Sequence, residues 1–431
     1  MAKKILFLII FPSIVHFSQA QKFDKQINTL AAQYEAEVIE LRHWFHEHAE
    51  LSNREFQTAE RIAKELKSIG YDPQTGIAKT GVVAILKGGK PEPVVALRAD
   101  IDGLPVKERG NLKWASKQMG EYNGEQVAVM HACGHDTHIG ILLGVAKMLF
   151  EIKDQIPGTV KFIFQPAEEG APVGEEGGAK LMVKEGVLKN PDVDAIFGLH
   201  ISSDTPVGEI EVRSKGIMAA VNSFRIDIKG VQTHGSAPWS GVDPIVTAAQ
   251  MINSIQTIVS RNMKLIDAAA VVTIGAIHGG VRSNIIPEDL YMLGTIRTLD
   301  AEMKTIVHQR LREIVENIAK ANNAEATLEI DEGYPITYNE PELYDQMLPT
   351  LHRMAGANNV KIISAITGAE DFSFFQEKVP GLYFFVGGCP SGNDTKKAAP
   401  HHTPDFYVDD SGMLLGMKTM TALTLDYLNK K

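Results

Sequence analysis

The stretch Met130, His131, Ala132, Cys133, Gly134, His135, Asp136, Thr137, His138 places a thiol and an imidazole two positions apart, just ahead of a helix-forming run. Both are metal ligands of the borderline-soft kind, and a helix N-terminus favours the thiolate. Two-ligand spacing leaves other readings open: a buried cysteine among structural histidines, or a bridge from Cys133 to Cys389, the only other cysteine. A second stretch, Gln165, Pro166, Ala167, Glu168, Glu169, Gly170, puts two carboxylates side by side after an apolar run. Neighbouring like charges repel, so a solvated loop is the ordinary reading. A cation changes that balance, because one carboxylate can bind it while the next takes a proton from a water that the cation activates. His200, after the apolar run 195–199, and His402, in Pro400, His401, His402, Thr403, Pro404, are poor signals singly. Together a cysteine, several histidines and glutamates near strand ends exceed what a four-coordinate structural site requires. Two metal ions sharing a bridging water would use them all.

Groups so far apart in the chain need a framework to bring them together. Ile27, Leu30, Tyr34, Val38 and Leu41 recur at spacings of three and four, and a second helical run covers 58–69, closed by Gly70. Short β-rich runs follow at 81–86, 94–97, 160–164 and 195–199, separated by helical or turn-rich stretches such as 140–150. That alternation predicts an α/β sheet domain. Three of these strands are expected to end in potential ligands: 94–97 leads to Asp100 and Asp102, 160–164 to Glu168 and Glu169, and 195–199 to His200. Open α/β sheets form their binding sites beyond the carboxyl ends of strands.

From 213 to 331 the pattern changes to strand (223–229), helix (244–261), strand (270–276), strand (290–298), helix (301–321) and strand (326–330). This is a split β-α-β-β-α-β, ferredoxin-like unit. Helix and strand runs resume afterwards, so it is read as inserted into a main domain formed by 21–212 and 332–431.

A chain of 431 residues fits two or three domains at roughly 150 residues each. Its formal charge of −10 supplies no basic field for phosphate backbones or anionic lipid, which argues against nucleic acid as a partner. Two cysteines cannot build a disulfide framework. Lys3 and Lys4, the apolar run 5–11 and the small-residue pattern Ser18, Gln19, Ala20 predict a signal peptide at 1–20, cut after Ala20. The apolar run is far shorter than the roughly 20 residues of a spanning helix, and Pro12 and His16 interrupt it. The expected mature protein is exported, periplasmic or secreted, with no membrane segment after cleavage.

Seven motifs, HACGHD at 131–136, QPAEEG at 165–170, GLH at 198–200, RADIDGLP at 98–105, HGGVRSNIIPE at 278–288, GTIRT at 294–298 and GAEDFSFF at 368–375, carry a resemblance. The chain resembles the aminoacylase/carboxypeptidase family of di-metal amidohydrolases, in the branch of N-acyl-amino-acid amidohydrolases, hippurate hydrolase and auxin-conjugate hydrolases. The resemblance implies a di-zinc-peptidase-like catalytic domain carrying an inserted dimerisation domain. It implies two divalent metal ions, zinc or manganese foremost and cobalt or nickel also fitting, held by Cys133, His135, Glu169, His200 and His402. The family's histidine, Ser or Thr, Pro pattern selects His402, with His401 as the fallback. Glu168 would be the general base, His234 would stabilise the oxyanion from across a homodimer interface, and Asp102 would orient a ligand. Asn284 and Arg297 would grip the substrate carboxylate, Arg297 pairing with a strand neighbour being the alternative. Ala49, where the family usually has Pro, and Trp239, where His is common, depart from the pattern. His46 and His48 are read as structural. The activity implied is hydrolysis of an N-acyl amino acid to a free amino acid and a carboxylic acid. A dipeptidase or carboxypeptidase is the alternative within the fold, and a metal-loaded binding protein without turnover the alternative from another class.

Overall fold

The computed structural model describes residues 13–91 and 93–430, with side chains described from Phe23 to Asn429. Lys3, Lys4 and the apolar run of the expected signal segment lie outside the described residues. Among those described, no helix is long and apolar enough to cross a membrane. The chain forms two compact units. The first holds the chain up to Glu211 together with Asp345–Lys361 and Phe384–Lys431; the second holds Val212–Tyr344 and Ile362–Tyr383.

The first unit is built on a mixed sheet whose successive strands are Gln74–Ile77, Gly81–Lys87, Thr159–Gln165, Val94–Asp100 and Ala195–Pro206, continued by Gly381–Cys389, Ile210–Val212 and Val360–Ile362. Every residue of Val94–Asp100 and of Thr159–Gln165 is buried, as expected of central strands covered on both faces, whose sequences run apolar without alternating. Val94–Asp100 pairs in parallel with Thr159–Gln165, Asp100 facing Gln165, and with Ala195–Pro206, Arg98 facing Gly198. That register brings Asp100, the turn after Gln165 and His200 to one level of the sheet. His200 differs from the expectation of a strand end: its strand runs on to Pro206, past the point where Val94–Asp100 stops pairing with it.

Helices Ser13–Glu47, His135–Glu151 and Gly412–Lys430 pack on one another, and the last two cover the Val94–Asp100 strand. The three approach closely because His135–Glu151 presents a bare backbone: a Cβ at Gly144 would lie 2.4 Å from Met417 Sδ and 2.9 Å from Val38 Cγ2. The Phe56–Ile69 helix buries Thr58, Ala59, Ile62, Ala63 and Leu66 along one stripe.

The second unit contains a four-stranded antiparallel sheet in the order Ala270–Gly279, Asp289–Thr298, Ala220–Lys229, Glu325–Glu332. Alternate residues of Ala220–Lys229 are buried, and Phe224, Ile226 and Ile228 share a core with Met251 and Ile255 of helix Pro244–Thr257 and Leu311 of helix Ala301–Ala321. Both helices start as the sequence dictates, Asp243 accepting from the Ile245 and Val246 N–H groups and Asp300 from that of Met303. The unit reaches beyond the expected 213–331. Lys215–Met218 pairs with Thr337–Asn339, and Asn339 donates to the Tyr383 carbonyl, so 332–344 and 362–383 are tied into it by backbone partners that no local sequence pattern announces.

Replacing Gly144 by Val should overpack the helix contact and destabilise the protein by about 1–3 kcal/mol. Chemical denaturation would show this as a lowered midpoint with an unchanged slope, whereas an unchanged midpoint would mean that the helices do not approach so closely.

Candidate metal centre

Gly134 adopts φ +97°, a left-handed conformation costly for a side chain, and a Cβ there would lie 2.4 Å from Ile201 Cγ2. The turn at this glycine ends the loop at Cys133 and starts the His135–Glu151 helix at the next residue, so both flanking side chains enter one buried space. Asp136, in the first turn of that helix, is buried and accepts from Arg42 Nε at 2.9 Å, while His46 Nδ1 lies 3.0 Å away. Burial opposes charge on both groups, but the Arg42 guanidinium holds Asp136 far below the usual carboxylate range. This ion cluster fixes the helix end that carries His135. His46 is therefore structural, and His48, stacked on Trp44, points elsewhere.

Around Cys133 Sγ lie His200 Nε2 and His402 Nε2, each at 3.3 Å, and His402 Nε2 is also 3.1 Å from Glu169 Oε1. His135 Nε2 lies 3.9 Å from Glu169 Oε1 and 3.7 Å from Glu168 Oε2. The structure thus brings Cys133, His135, Glu168, Glu169, His200 and His402 together, with Glu169 common to the set with Cys133 and His402 and the set with His135 and Glu168. Cys133 and Cys389 are both free and buried, so the bridge weighed between them is not formed.

The tautomers of two imidazoles are set from behind. His200 Nδ1–H donates to the Ile201 carbonyl at 2.6 Å, and His135 Nδ1–H donates to the Asp102 carbonyl at 2.9 Å with Asp102 Oδ1 at 3.2 Å. Each turns its Nε2 toward the cluster, where a metal ion would displace any proton it carries, the arrangement in which outer partners orient metal-bound histidines. Asp102 is itself held by the Ser52 hydroxyl at 2.6 Å and by the Glu169 N–H at 3.0 Å, so it links a histidine to the carboxylate turn. His401 is different. Its Nδ1–H donates to the Cys133 carbonyl at 3.1 Å and its Nε2 accepts from the Ser203 N–H at 3.2 Å, which occupies both nitrogens. Burial lowers it to about 4, so it is a neutral wall of the site. His138 is likewise spent between Asp100 and the Ile201 N–H.

The electrostatics call for cations. Burial, reinforced by Glu169, Glu168 and Asp100, pushes the Cys133 thiol well above its ordinary range. Burial alone would lower His135, but Asp100 and Asp102 raise it to about 10. Protein charge is therefore short of positive partners here. His135 Nε2 is buried without a hydrogen-bond partner, which native proteins rarely tolerate, and Glu169 Oε1 has two imidazoles near it, His402 Nε2 at 3.1 Å and His135 Nε2 at 3.9 Å. A thiolate, three imidazoles and a carboxylate so placed fit a pair of divalent metal ions. A bound cation would also keep the thiol deprotonated, reversing the shift imposed by burial.

In the second unit His234 is exposed on the short strand Thr233–His234, opposite Ile285, and the Gly235 N–H donates to the Asn284 carbonyl, so the structure brings His234 and Asn284 together. Arg297 lies on Asp289–Thr298, and its guanidinium donates to Thr295 Oγ1 and to the Ile296 carbonyl, the strand-neighbour pairing. Asp100, expected as a potential ligand where its strand ends, is instead held by Arg98 at 2.6 Å and fixes His138. Ser52, which no local signal in the sequence marks, also serves the site by holding Asp102.

His402→Asn should reduce tightly bound metal from two ions to one, while His401→Asn should retain two. Metal analysis of the gel-filtered proteins checks this, and the reverse pattern would make His401 the ligand.

The Peptidase family M20/M25/M40 model matches residues 96–426. The chain is 39% identical to the thermostable carboxypeptidase 2 of Saccharolobus solfataricus over 396 residues, 91% of this chain and 96% of that one. It is 36% identical to the N-acetylcysteine deacetylase of Bacillus subtilis over 396 residues, 91% and 97% of the two chains. A crystal structure of a dinuclear metal binding peptidase of the M20 family from Bacillus subtilis superposes with a TM-score of 0.77 at 32% identity, covering 93% of this chain and all of the other. With Cys133, His135, Glu168, Glu169, His200 and His402 converging as described, the chain belongs to Peptidase family M20/M25/M40.

Proposed function

We propose that this protein is an exported, homodimeric amidohydrolase that cleaves the amide bond of N-acyl amino acids, releasing a free amino acid and a carboxylic acid. The carrying observation is the unequal setting of two adjacent carboxylates: Glu169 Oε1 lies with both Cys133 and His402, 3.1 Å from His402 Nε2, and with His135, while Glu168 shares the His135 side, its Oε2 3.7 Å from His135 Nε2, and no set with Cys133 or His402. A binding protein has no use for the second carboxylate; a hydrolase needs it as a base. The similarity to a protein named N-acetylcysteine deacetylase supports the substrate class.

Two bound divalent cations would polarise the scissile carbonyl and make a water more acidic. Glu168 takes the proton of that water at its carboxylate and delivers one to the leaving amine. Asp102 keeps the His135 Nε2 lone pair aimed, and the Gly134 turn keeps Cys133 in place. His234 is suited to an oxyanion: its Nδ1 accepts from the Ser236 N–H at 3.0 Å, so Nε2 carries the hydrogen and can donate. In this reading it does so in the site of a partner subunit, and Asn284 meets the substrate carboxylate together with the Arg297 guanidinium nitrogens that the contacts of Nη1 to Thr295 and Ile296 leave over. Thiolate, imidazole and carboxylate ligands suit zinc, with manganese next and cobalt or nickel compatible. Export rests on the N-terminal lysines, the apolar run and the Ser18, Gln19, Ala20 pattern.

A second reading, a carboxypeptidase or dipeptidase, is favoured by the 39% identity to a protein of that name. Release of amino acid from N-acetyl, N-benzoyl and indole-acetyl amino acids, measured beside dipeptides, separates the two. Glu168→Gln should keep both metals and lower kcat by about 10²-fold or more; turnover near the wild-type rate would remove Glu168 from the mechanism.

A further inference from the structure

The turn that carries Glu168 and Glu169 is strained at its first step. Ala167, fully buried, has φ +52°, a left-handed conformation that a Cβ disfavours and that persists only where the surroundings enforce it. The enforcing contact is remote in sequence. Glu55 Oε1 accepts the Ala167 N–H at 2.9 Å, and Glu55 Oε2 accepts the Thr80 hydroxyl at 2.6 Å. We infer that Glu55 is a positioning residue for hydrolysis: its carboxyl group clamps Ala167 in the left-handed turn and so directs Glu168 and Glu169 toward the metal centre.

Three observations favour this over a purely structural role. Glu55 directly precedes the Phe56–Ile69 helix, but its side chain makes no cap there; Glu50 does, its carboxylate accepting the Gln57 and Thr58 N–H groups at 3.2 and 2.9 Å. Glu55 has no solvent exposure, and burying a carboxyl group is costly where an apolar side chain of similar size would serve packing. The same short segment supplies Ser52, whose hydroxyl holds the Asp102 carboxylate that in turn accepts the Glu169 N–H at 3.0 Å. Residues 52–55 thus grip the turn at both of its ends, at Ala167 directly and at Glu169 through Asp102.

The inference rests on the amidohydrolase reading for its kinetic readout and on metal binding for an independent one. Burial first, and then Asp102, raises Glu55 to about 8, so glutamine is close to an isostere that keeps an acceptor for Ala167 and a partner for Thr80. Leucine fills the space and keeps neither. E55Q, E55L and E55L/A167G, compared with wild type, would be stripped of metal and titrated with Zn²⁺ by calorimetry, then assayed on the best N-acyl amino acid. E55L should bind the weaker of its two zinc ions at least tenfold less tightly and lose at least tenfold in kcat with KM within threefold. E55Q should stay within threefold of wild type in all three quantities. A167G should restore part of the loss in E55L, because glycine adopts the turn without the Cβ penalty. Wild-type behaviour of E55L, damage to E55Q equal to that of E55L, or an unfolded E55L that A167G does not rescue would each overturn the assignment. Absence of hydrolysis by the wild type would instead reject the amidohydrolase reading, with the zinc titration still deciding the role of Glu55.

Discussion

Metal-ligating atoms are crowded together in a buried space at the level where the central strands of the first unit release their chains. Cys133 Sγ faces two imidazole nitrogens at 3.3 Å, the buried His135 Nε2 finds no hydrogen-bond partner, and Glu169 Oε1 has the His402 imidazole at 3.1 Å. In a medium of low polarity such a cluster is unfavourable unless cations fill it. The proposed ligand set and the proposed division of roles between the two glutamates rest on that one requirement.

The remainder of the first unit holds those ligating atoms in position. A parallel register delivers Asp100 and the Gln165 turn to one level, the Gly134 turn orients Cys133 and His135, and the Arg42, Asp136, His46 cluster anchors the helix that follows. Backbone carbonyls and Asp102 fix the tautomers. Each support lies on a helix, a strand or a buried turn, the kind of rigid element that holds ligating side chains in a fixed geometry.

What was legible in the sequence was whatever local chemistry announces. Ligand types at short spacing, apolar strands ending near acids, and the switch to a β-α-β-β-α-β pattern all showed in the residues themselves, and the choice of His402 over His401 came from a motif. The geometry adds a physical reason for that choice, since both His401 nitrogens are already bonded. The rest depends on contacts over long separations. Glu55 reaches Ala167 across 112 positions and Arg42 reaches Asp136 across 94, and neither residue differs from an ordinary helix-surface charge when read locally. The extension of the second unit to 332–344 and 362–383 was hidden for the same reason: three-residue strands such as Thr337–Asn339 carry no readable period. His200, taken as a strand end, sits within a strand because pairing partners, not composition, decide where a strand stops.

The most direct measurement is X-ray diffraction from crystals of the zinc-loaded protein, recorded on both sides of the zinc absorption edge. Two anomalous peaks are expected, both enclosed by Cys133, His135, Glu169, His200 and His402, with Glu168 beside them and coordinating neither ion. A single peak, peaks elsewhere, or Glu168 as a ligand in place of Glu169 would contradict that expectation.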